Sequence, residues 1–539
     1  MGQGQYNLYE ILSQIASTNG SRIAIFDDKA RISYKGLFNS VGTLAGHLQA
    51  MGVSKGDRVA MVVANSSEFV ISYLAITATA AVAVPINTFL KSEEIAYILK
   101  DCEARVLFAS ASLRTEIVKA SKSLNLEHII YIGANDEVAS TTASVDQMGA
   151  VGESMYLDMP EDVYAKVLSY ESLLTSPSKL IPPIAMSKED LVHIIYTSGT
   201  TGKPKGAMIS YRNIISNING AHEQFVVRGS DRFLVFLPMF HSFTLTAMVL
   251  LPLVCGASII IMRSIFPFSN VLKQALLKRA TIFLGVPAIY TAIGKAKIPW
   301  YFSWFNKIRL FICGGAPLAK QTIDDFKLKF PRAKLIEGYG LSECSPIVSA
   351  NPLKKQKPLS VGVPLAGYSV KIVDDEMIER ARGEIGEIIV SGDCVMQGYL
   401  GMPAASDETI INGWLRTGDL GYMDDEGYIY IVDRKKDLII SKGINIYPRE
   451  IEEAILKIDE VEAAAVIGVR DEHADEEVVA FIQLKDEANI SEAMIRKFLK
   501  QHLANFKIPK SIHFRNDLPK NATGKVLKRV LKDEINSDK

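Results

Sequence analysis

Residues 191–210 read LVHIIYTSGTTGKPKGAMIS. The opening LVHIIYT is apolar and rich in β-branched side chains, the make-up of a buried strand. It breaks into TSGTTGKPKG at 197–206, and YRNIISNINGAHEQF at 211–225 follows with apolar residues at helical spacing. The order expected is therefore strand, loop, helix. Within the loop, Gly199, Gly202 and Gly206 let the backbone turn tightly and approach a ligand closely. Successive backbone N–H groups in such a turn can form an anion-binding nest. Thr197, Ser198, Thr200 and Thr201 add hydroxyls, and Lys203 and Lys205 add positive charge. Polyphosphate is the natural ligand. The loop is not a Walker A motif, which needs Ser or Thr directly after its GK, because Pro204 follows Lys203.

Working outward, DRVAMVVAN (57–65) and AVAVPIN (81–87) are short buried strands separated by helical patterns. Strand and helix in alternation predict a parallel α/β sheet. The stretch 134–162 is polar, rich in small residues and without periodicity, which reads as a surface insertion. From about 360 the texture changes to short strands with glycine turns (GYSVKIVDDE, GEIGEIIVSG, GYIYIVDR), a small β-rich subdomain. After Asp433 charge density rises, with helices expected at 448–457 and 491–504. The fold class expected is α/β, with a large N-terminal domain (1–432) of two α/β subdomains plus the β-rich subdomain. A small mobile α+β domain (433–539) follows a hinge at Asp433–Asp437.

Composition narrows the function classes. The 539 residues carry 60 Lys and Arg against 60 Asp and Glu, so no overall field draws the protein to nucleic acid, and any phosphate site must be local. The five cysteines are scattered without a CxxC pair, which indicates neither a zinc site nor a disulfide framework and suits a reducing compartment. The start, MGQGQYNLYE, lacks the basic and apolar regions of a signal peptide, and Tyr6 stands where a myristoylation signal needs Ser or Thr, so a cytoplasmic protein is expected. Residues Phe233 to Met262 contain no Lys, Arg, Asp or Glu, a run long enough to span a bilayer. Pro238, His241, Pro252 and Gly256 punctuate it and ASIIIM ends it in strand vocabulary, so loop, buried helix, turn and strand are expected instead.

YTSGTTGKPKG resembles the signature loop of the adenylate-forming superfamily, which comprises acyl-CoA synthetases, peptide-synthetase adenylation domains and firefly-type luciferases. CGGAP (313–317), EGYGLSE (337–343), GWLRTGDLGYMDDEGYIYIVDRKKD (413–437), SKGINIYPREIE (441–452) and NATGK (521–525) are similar to its later motifs, in the same order. The resemblance covers roughly residues 20–530.

It implies carboxylate activation, in which R–COO⁻ attacks the α-phosphorus of ATP to give acyl-AMP and pyrophosphate. Both reacting groups are anionic, so the catalyst supplies positioning and positive charge. Glu343 suits Mg²⁺, which takes one or two protein oxygens and completes its octahedron with phosphate and water; the resemblance adds Thr197 as its partner. The resemblance also makes Lys525 the catalytic lysine, between the carboxylate and the α-phosphate. Asp419 can accept hydrogen bonds from both ribose hydroxyls, with Arg434 implied as a second contact. Gly315, Ala316 and Pro317 resemble the wall of the adenine pocket and Tyr339 its stacking face, with a core role as the lesser alternative for a tyrosine. Gly338, Gly340 and Ser342 join the nucleotide set through the same motif. Lys436 stands at the position resembling the family's hinge residue. Lys442 and Gly443 lie on the face implied to turn inward for CoA, where a glycine lets the thin pantetheine arm pass.

The acid pocket is implied at PMFHSF (238–243), GVPAIY (285–290) and YGLSECSPIVSANP (339–352), which most resemble bacterial medium- and long-chain fatty acyl-CoA synthetases. The charge-free run fits an alkyl chain, held at about 0.8 kcal/mol per buried CH₂. An amino acid substrate would want a buried carboxylate near its start, and Phe240 and His241 stand there instead. His241 reads as a gate or pocket residue, or as a satisfied core histidine. Thr244 and Leu245 occupy the place where some long-chain members carry a tryptophan gate. The expectation is an ATP-, Mg²⁺- and CoA-dependent fatty acid:CoA ligase, with an acyl-carrier-protein ligase or an aryl acid:CoA ligase as alternatives. A luciferase-type oxygenase and a pure binding or transport protein are the more distant rivals. Nucleic acid is not an expected partner, and peripheral membrane association and a homodimer stay open.

Overall fold

The computed structural model describes residues 6–28, 30–122, 124–133, 166–178, 184–197, 203–263, 268–295, 298, 300–316, 318–441, 444–470, 476–520 and 526–537. The insertion expected at 134–162 lies outside them.

Two large sheets organise the N-terminal part. In the first, strands Lys166–Ser169, His128–Ile132, Val106–Ser110, Arg58–Val62, Val82–Pro85 and Leu191–Thr197 run parallel, and Lys205–Ser210 closes the edge antiparallel. The second has nine strands. Its centre is parallel, in the order Lys334–Gly340, Leu310–Cys313, Ile282–Gly285, Arg232–Val235, Ser258–Ile261 and Ile23–Phe26, with antiparallel strands at both ends. Helix Ser67–Ala78 is apolar on all sides, and every residue but Glu68 is buried, as a helix packed on every face requires. It lies between the sheets. Asp27, in the second sheet's edge turn, accepts Ser67 N–H at 3.0 Å, and Tyr73 Oη meets His193 Nδ1 of the first sheet at 2.8 Å.

The expected strands and the β-rich subdomain are present, the latter an antiparallel sheet of Tyr368–Val373, Gly386–Gly392, Trp414–Met423, Ile410–Ile411 and Ile429–Arg434. In the small C-terminal domain Glu476–Leu484 pairs with Val461–Arg470 on one side and Ser511–Arg515 on the other, with helices Pro448–Ile455 and Glu492–His502 close to those expected.

Two details differ from expectation. Lys205–Ser210 is a strand, so 191–210 is strand, loop and returning strand before the helix Tyr211–Phe225. Gly206 accordingly sits in a ladder opposite Tyr196 rather than in the turn. A Cβ there would lie 2.8 Å from Ile194 Cγ2 and 3.1 Å from Tyr196 Cζ, so glycine serves close cross-strand packing. The loop, helix, turn and strand expected of the apolar run are present, preceded by strand Arg232–Val235, but Thr244–Leu250 is a π-helix passing into Leu251–Val254, with Leu251 N–H donating to Thr246 O. All eleven of these helical residues are buried. No helix among the described residues is long and apolar enough to cross a membrane.

Candidate active site

Parallel strands point their carboxyl ends the same way, and the crevice outside those ends is where open α/β sheets bind ligands. In the second sheet Arg232–Val235 runs on to Pro238–Ser242, Leu310–Cys313 to Gly314–Ala316, and Lys334–Gly340 to Leu341–Glu343. Strand Leu191–Thr197 of the first sheet delivers Thr197 to the same place. Thr197 Oγ1 lies 3.4 Å from Glu343 Oε1 although the residues are 146 apart in sequence.

A residue that no motif marked completes this pair. Tyr399 donates its hydroxyl to Glu343 Oε1 at 3.0 Å, and its ring lies beneath Lys205 Nζ, 5.1 Å from the centroid. Burial, and then the Glu343 charge, push the Tyr399 phenol above its usual range, so it stays a donor at every working pH. Met396 N–H donates to Glu343 O at 2.9 Å, which fixes the backbone as well. Both side-chain contacts use Oε1. A carboxylate and a hydroxyl are the sparse hard-oxygen set that Mg²⁺ accepts when nucleotide phosphates and water supply the rest. Lys203 Nζ lies over the Tyr97 ring, 5.9 Å from its centroid.

The ribose expectation gains a specific geometry. Strands Trp414–Met423 and Ile429–Arg434 pair Asp419 directly opposite Arg434. Arg434 Nε lies 3.0 Å from Asp419 Oδ1, and Tyr339 donates its hydroxyl to Asp419 Oδ2 at 2.6 Å. Each carboxylate oxygen keeps lone-pair capacity for a further donor. Tyr339 is thus tied through its hydroxyl to Asp419, and Gly315 and Ala316, expected in the adenine wall, are exposed. The hairpin after Tyr339 needs Gly340, because a Cβ there would lie 1.9 Å from Pro346 O. Gly338 pairs with Ala350 in the same hairpin. Glu337, which opens the EGYGLSE motif but had no role expected for it, accepts the Leu359 N–H at 3.0 Å and a backbone bond from Leu318, just past the 313–317 motif. Burial pushes its carboxyl up to about 7.

On the acid side, Ser342 Oγ and Ser242 Oγ are 2.8 Å apart, joining the apolar segment to the residue beside Glu343. Asn65 holds that segment's start, donating to Leu237 O and accepting Met239 N–H, both at 2.8 Å. His241 is half-buried beside Phe240, ring centroids 4.6 Å apart. Its Nε2 has no hydrogen-bond partner among the described residues, which departs from a satisfied core histidine. Burial pulls its pKa down to about 4, so the ring is neutral near pH 7.

The hinge expected at Asp433–Asp437 takes in the last two residues of strand Ile429–Arg434 and the 3₁₀ turn Lys435–Asp437, with Lys436 exposed. Lys435 is anchored to Asp375 and Glu387 at 2.5 and 3.0 Å, on the β-rich sheet. Beyond the turn, Arg449 donates to Ile431 O at 2.7 Å and its N–H to Asp433 Oδ2 at 2.9 Å. Ser198, Gly199, Thr200, Thr201, Gly202, Pro317, Lys442, Gly443 and Lys525 lie outside the described residues. Lys520 and Val526 form a β-bridge that joins the two ends of the 521–525 stretch.

Residues 12–400 match the family described as AMP-binding enzyme, and residues 450–525 match the AMP-binding enzyme C-terminal domain. A long-chain-fatty-acid–CoA ligase of Bacillus subtilis (strain 168) is 35% identical over 529 residues, 95% of this chain and 92% of that protein. Among solved structures, ATP-bound MatB from Rhodopseudomonas palustris matches with a TM-score of 0.84 at 31% identity, covering 98% of each chain. The anthranilate CoA ligase AuaEII in complex with anthranoyl-AMP matches with a TM-score of 0.84 at 28% identity, covering 98% of this chain and 97% of that one. With Thr197 and Glu343 brought together from two sheets and both family models matched in order along the chain, the chain belongs to the AMP-binding enzyme family.

Proposed function

We propose that the protein is a fatty acid:CoA ligase that activates a medium- or long-chain fatty acid as acyl-AMP and passes the acyl group to CoA. It is an AMP-forming acid–CoA ligase that uses ATP, Mg²⁺ and CoA, and the fatty acid is the finer part of the reading. One observation carries that part. The charge-free segment Phe233–Met262 is almost wholly buried, and Ser242 fastens it to Ser342, next to Glu343. An apolar wall therefore adjoins the adenylation site, the surroundings an alkyl chain requires. The fatty-acid ligase named above supports the same reading.

Each residue then has a task. Glu343 and Thr197 would hold the metal on the phosphates, where its charge eases departure of pyrophosphate. Asp419, with Arg434 and Tyr339, would receive the ribose. Ser198–Gly202, Lys203 and Lys205 would cradle the phosphates. Neutral His241, with Nε2 unpartnered, would meet the acid head group as a hydrogen-bonding rather than charged neighbour. Lys525 would neutralise charge between carboxylate and α-phosphate. The parts 1–432 and 433–539 would move about the turn at Lys436, exchanging Lys525 for Lys442 and Gly443 at the site between the two half-reactions. A cytoplasmic location suits these substrates.

An aryl acid is the second reading, favoured by the likeness to the anthranilate ligase and by the Phe240–His241 ring pair. Acyl carrier protein would replace CoA without altering the adenylation site. The test is thioester formation with CoA and with carrier protein, in wild type and Lys525→Ala. Wild type should use CoA. The variant should lose most acid-dependent pyrophosphate exchange yet convert supplied acyl-AMP to thioester, and unchanged exchange would refute the role of Lys525.

A further inference from the structure

The charge balance of the whole chain hides a local excess. Residues 264–336 contain twelve Lys and Arg against two Asp and Glu, in a chain with 60 of each class. The fold concentrates part of that excess on one edge. Strands Lys334–Gly340, Leu310–Cys313, Ile282–Gly285 and Arg232–Val235 are neighbours and parallel, so the turns that precede them lie side by side. Backbone bonds Thr281 N–H to Arg232 O, Arg309 N–H to Thr281 O and Lys334 N–H to Arg309 O keep these strand starts level.

Three of the turns, taken with the helix ends that lead into them, repeat one pattern, an exposed large apolar side chain beside exposed cations. Leu277 (65% exposed) precedes Arg279; Trp304 (67%) and Phe305 (65%) precede Lys307; Leu328 (83%) adjoins Lys327 and Arg332. The Arg332 guanidinium lies 5.6 Å from the Trp304 ring centroid, and the two side chains flank a cleft of about 250 Å³ with Phe330 and Ile308. Some cations on this edge are already matched, Lys278 by Asp28 at 3.7 Å and Arg309 by buried Asp231 at 2.7 Å. The exposed Arg279, Lys307, Lys327 and Arg332 belong to the surface itself.

We infer that this edge docks the protein on an anionic lipid bilayer, with Trp304, Phe305, Leu277 and Leu328 entering the headgroup region and the flanking cations facing lipid phosphates. Aromatic and aliphatic tips ringed by Lys and Arg are the chemistry of interfacial binding, in which apolar insertion and attraction to anionic lipid add. Trp and Tyr favour that boundary because one end is apolar and the other wet. The four strands carry the adenylation site at their other ends, about 13 Å of strand away. Docking there leaves the nucleotide mouth open. The inference holds whichever acid the site activates.

The test is co-sedimentation of the full chain with vesicles of phosphatidylcholine alone and of phosphatidylcholine with phosphatidylglycerol, at low and high salt. Wild type should pellet with the anionic vesicles and be released by salt. W304S/F305S and R279E/K307E/R332E should each bind at least about tenfold more weakly, while acid-dependent pyrophosphate exchange with a water-soluble acid stays at the wild-type rate. Wild type left in the supernatant with both vesicles, or variants that pellet like wild type, would overturn the inference. So would a dimer, or a complex with RNA, that the variants abolish in the absence of vesicle binding.

Discussion

Replacing Tyr399 with Phe removes one oxygen from the Glu343 site and little else. The ring that carries Lys205 at 5.1 Å is retained, while the 3.0 Å hydrogen bond to Glu343 Oε1 is lost. What remains on that oxygen is Thr197 at 3.4 Å, a long contact. A hydrogen bond to an ionised carboxylate contributes about 1.5–3 kcal/mol, and outer-sphere partners of metal ligands are worth about 10- to 100-fold in affinity. The two estimates agree at about 1.4 kcal/mol per decade. The Mg²⁺ concentration that half-saturates acid-dependent pyrophosphate exchange should therefore rise about 10- to 100-fold in Tyr399→Phe, in a variant that remains folded at the assay temperature. An unaltered Mg²⁺ dependence in a folded variant would refute the reasoning that Tyr399 orients a metal-binding Glu343.

Further outcomes follow from other contacts. Asn217 is buried and donates to Ile347 O at 2.7 Å and Cys344 O at 3.3 Å; Asn217→Ala strands both carbonyls and should lower the urea-unfolding free energy by about 2–4 kcal/mol. The His241 pKa is depressed from 6.5 to about 4 by burial, so the unfolded state takes a proton that the folded state refuses, and stability falls as pH drops below about 6.5. His241→Gln should accordingly lose about 2 kcal/mol less than wild type between about pH 7.5 and 5. Identical pH slopes in the two proteins would contradict a buried neutral imidazole; Glu337, pushed up to about 7 and of opposite sign, is common to both. A bulky residue at Gly443 should spare pyrophosphate exchange and block thioester formation, and equal loss of both would count against two working conformations.

Much of the site was legible because motif residues are brought together by regular pairing. Thr197 ends a strand whose composition marks it, and Asp419 and Arg434 meet because their strands pair in register. The rest depended on non-local geometry. Tyr399 reaches Glu343 from 56 residues away with no pattern around it. Lys205–Ser210 was missed as a strand because AMIS is too short to show a period between a polar loop and a helix. The π-helix at Thr244–Leu250 sits in a run that is apolar on every side, so periodicity could not distinguish it from an α-helix. The basic and aromatic edge is spread over turns that only the strand order aligns, and the neutral overall charge concealed it. The apolar run resolved as expected into core elements, through the proline and glycine that punctuate it.

The most direct test is acid-dependent ATP–pyrophosphate exchange by the purified protein across fatty, aryl, dicarboxylic and amino acids. Medium- and long-chain fatty acids should drive exchange, and benzoate, malonate and amino acids should not. Exchange driven by an aryl or amino acid with none from any fatty acid would contradict the fatty-acid reading.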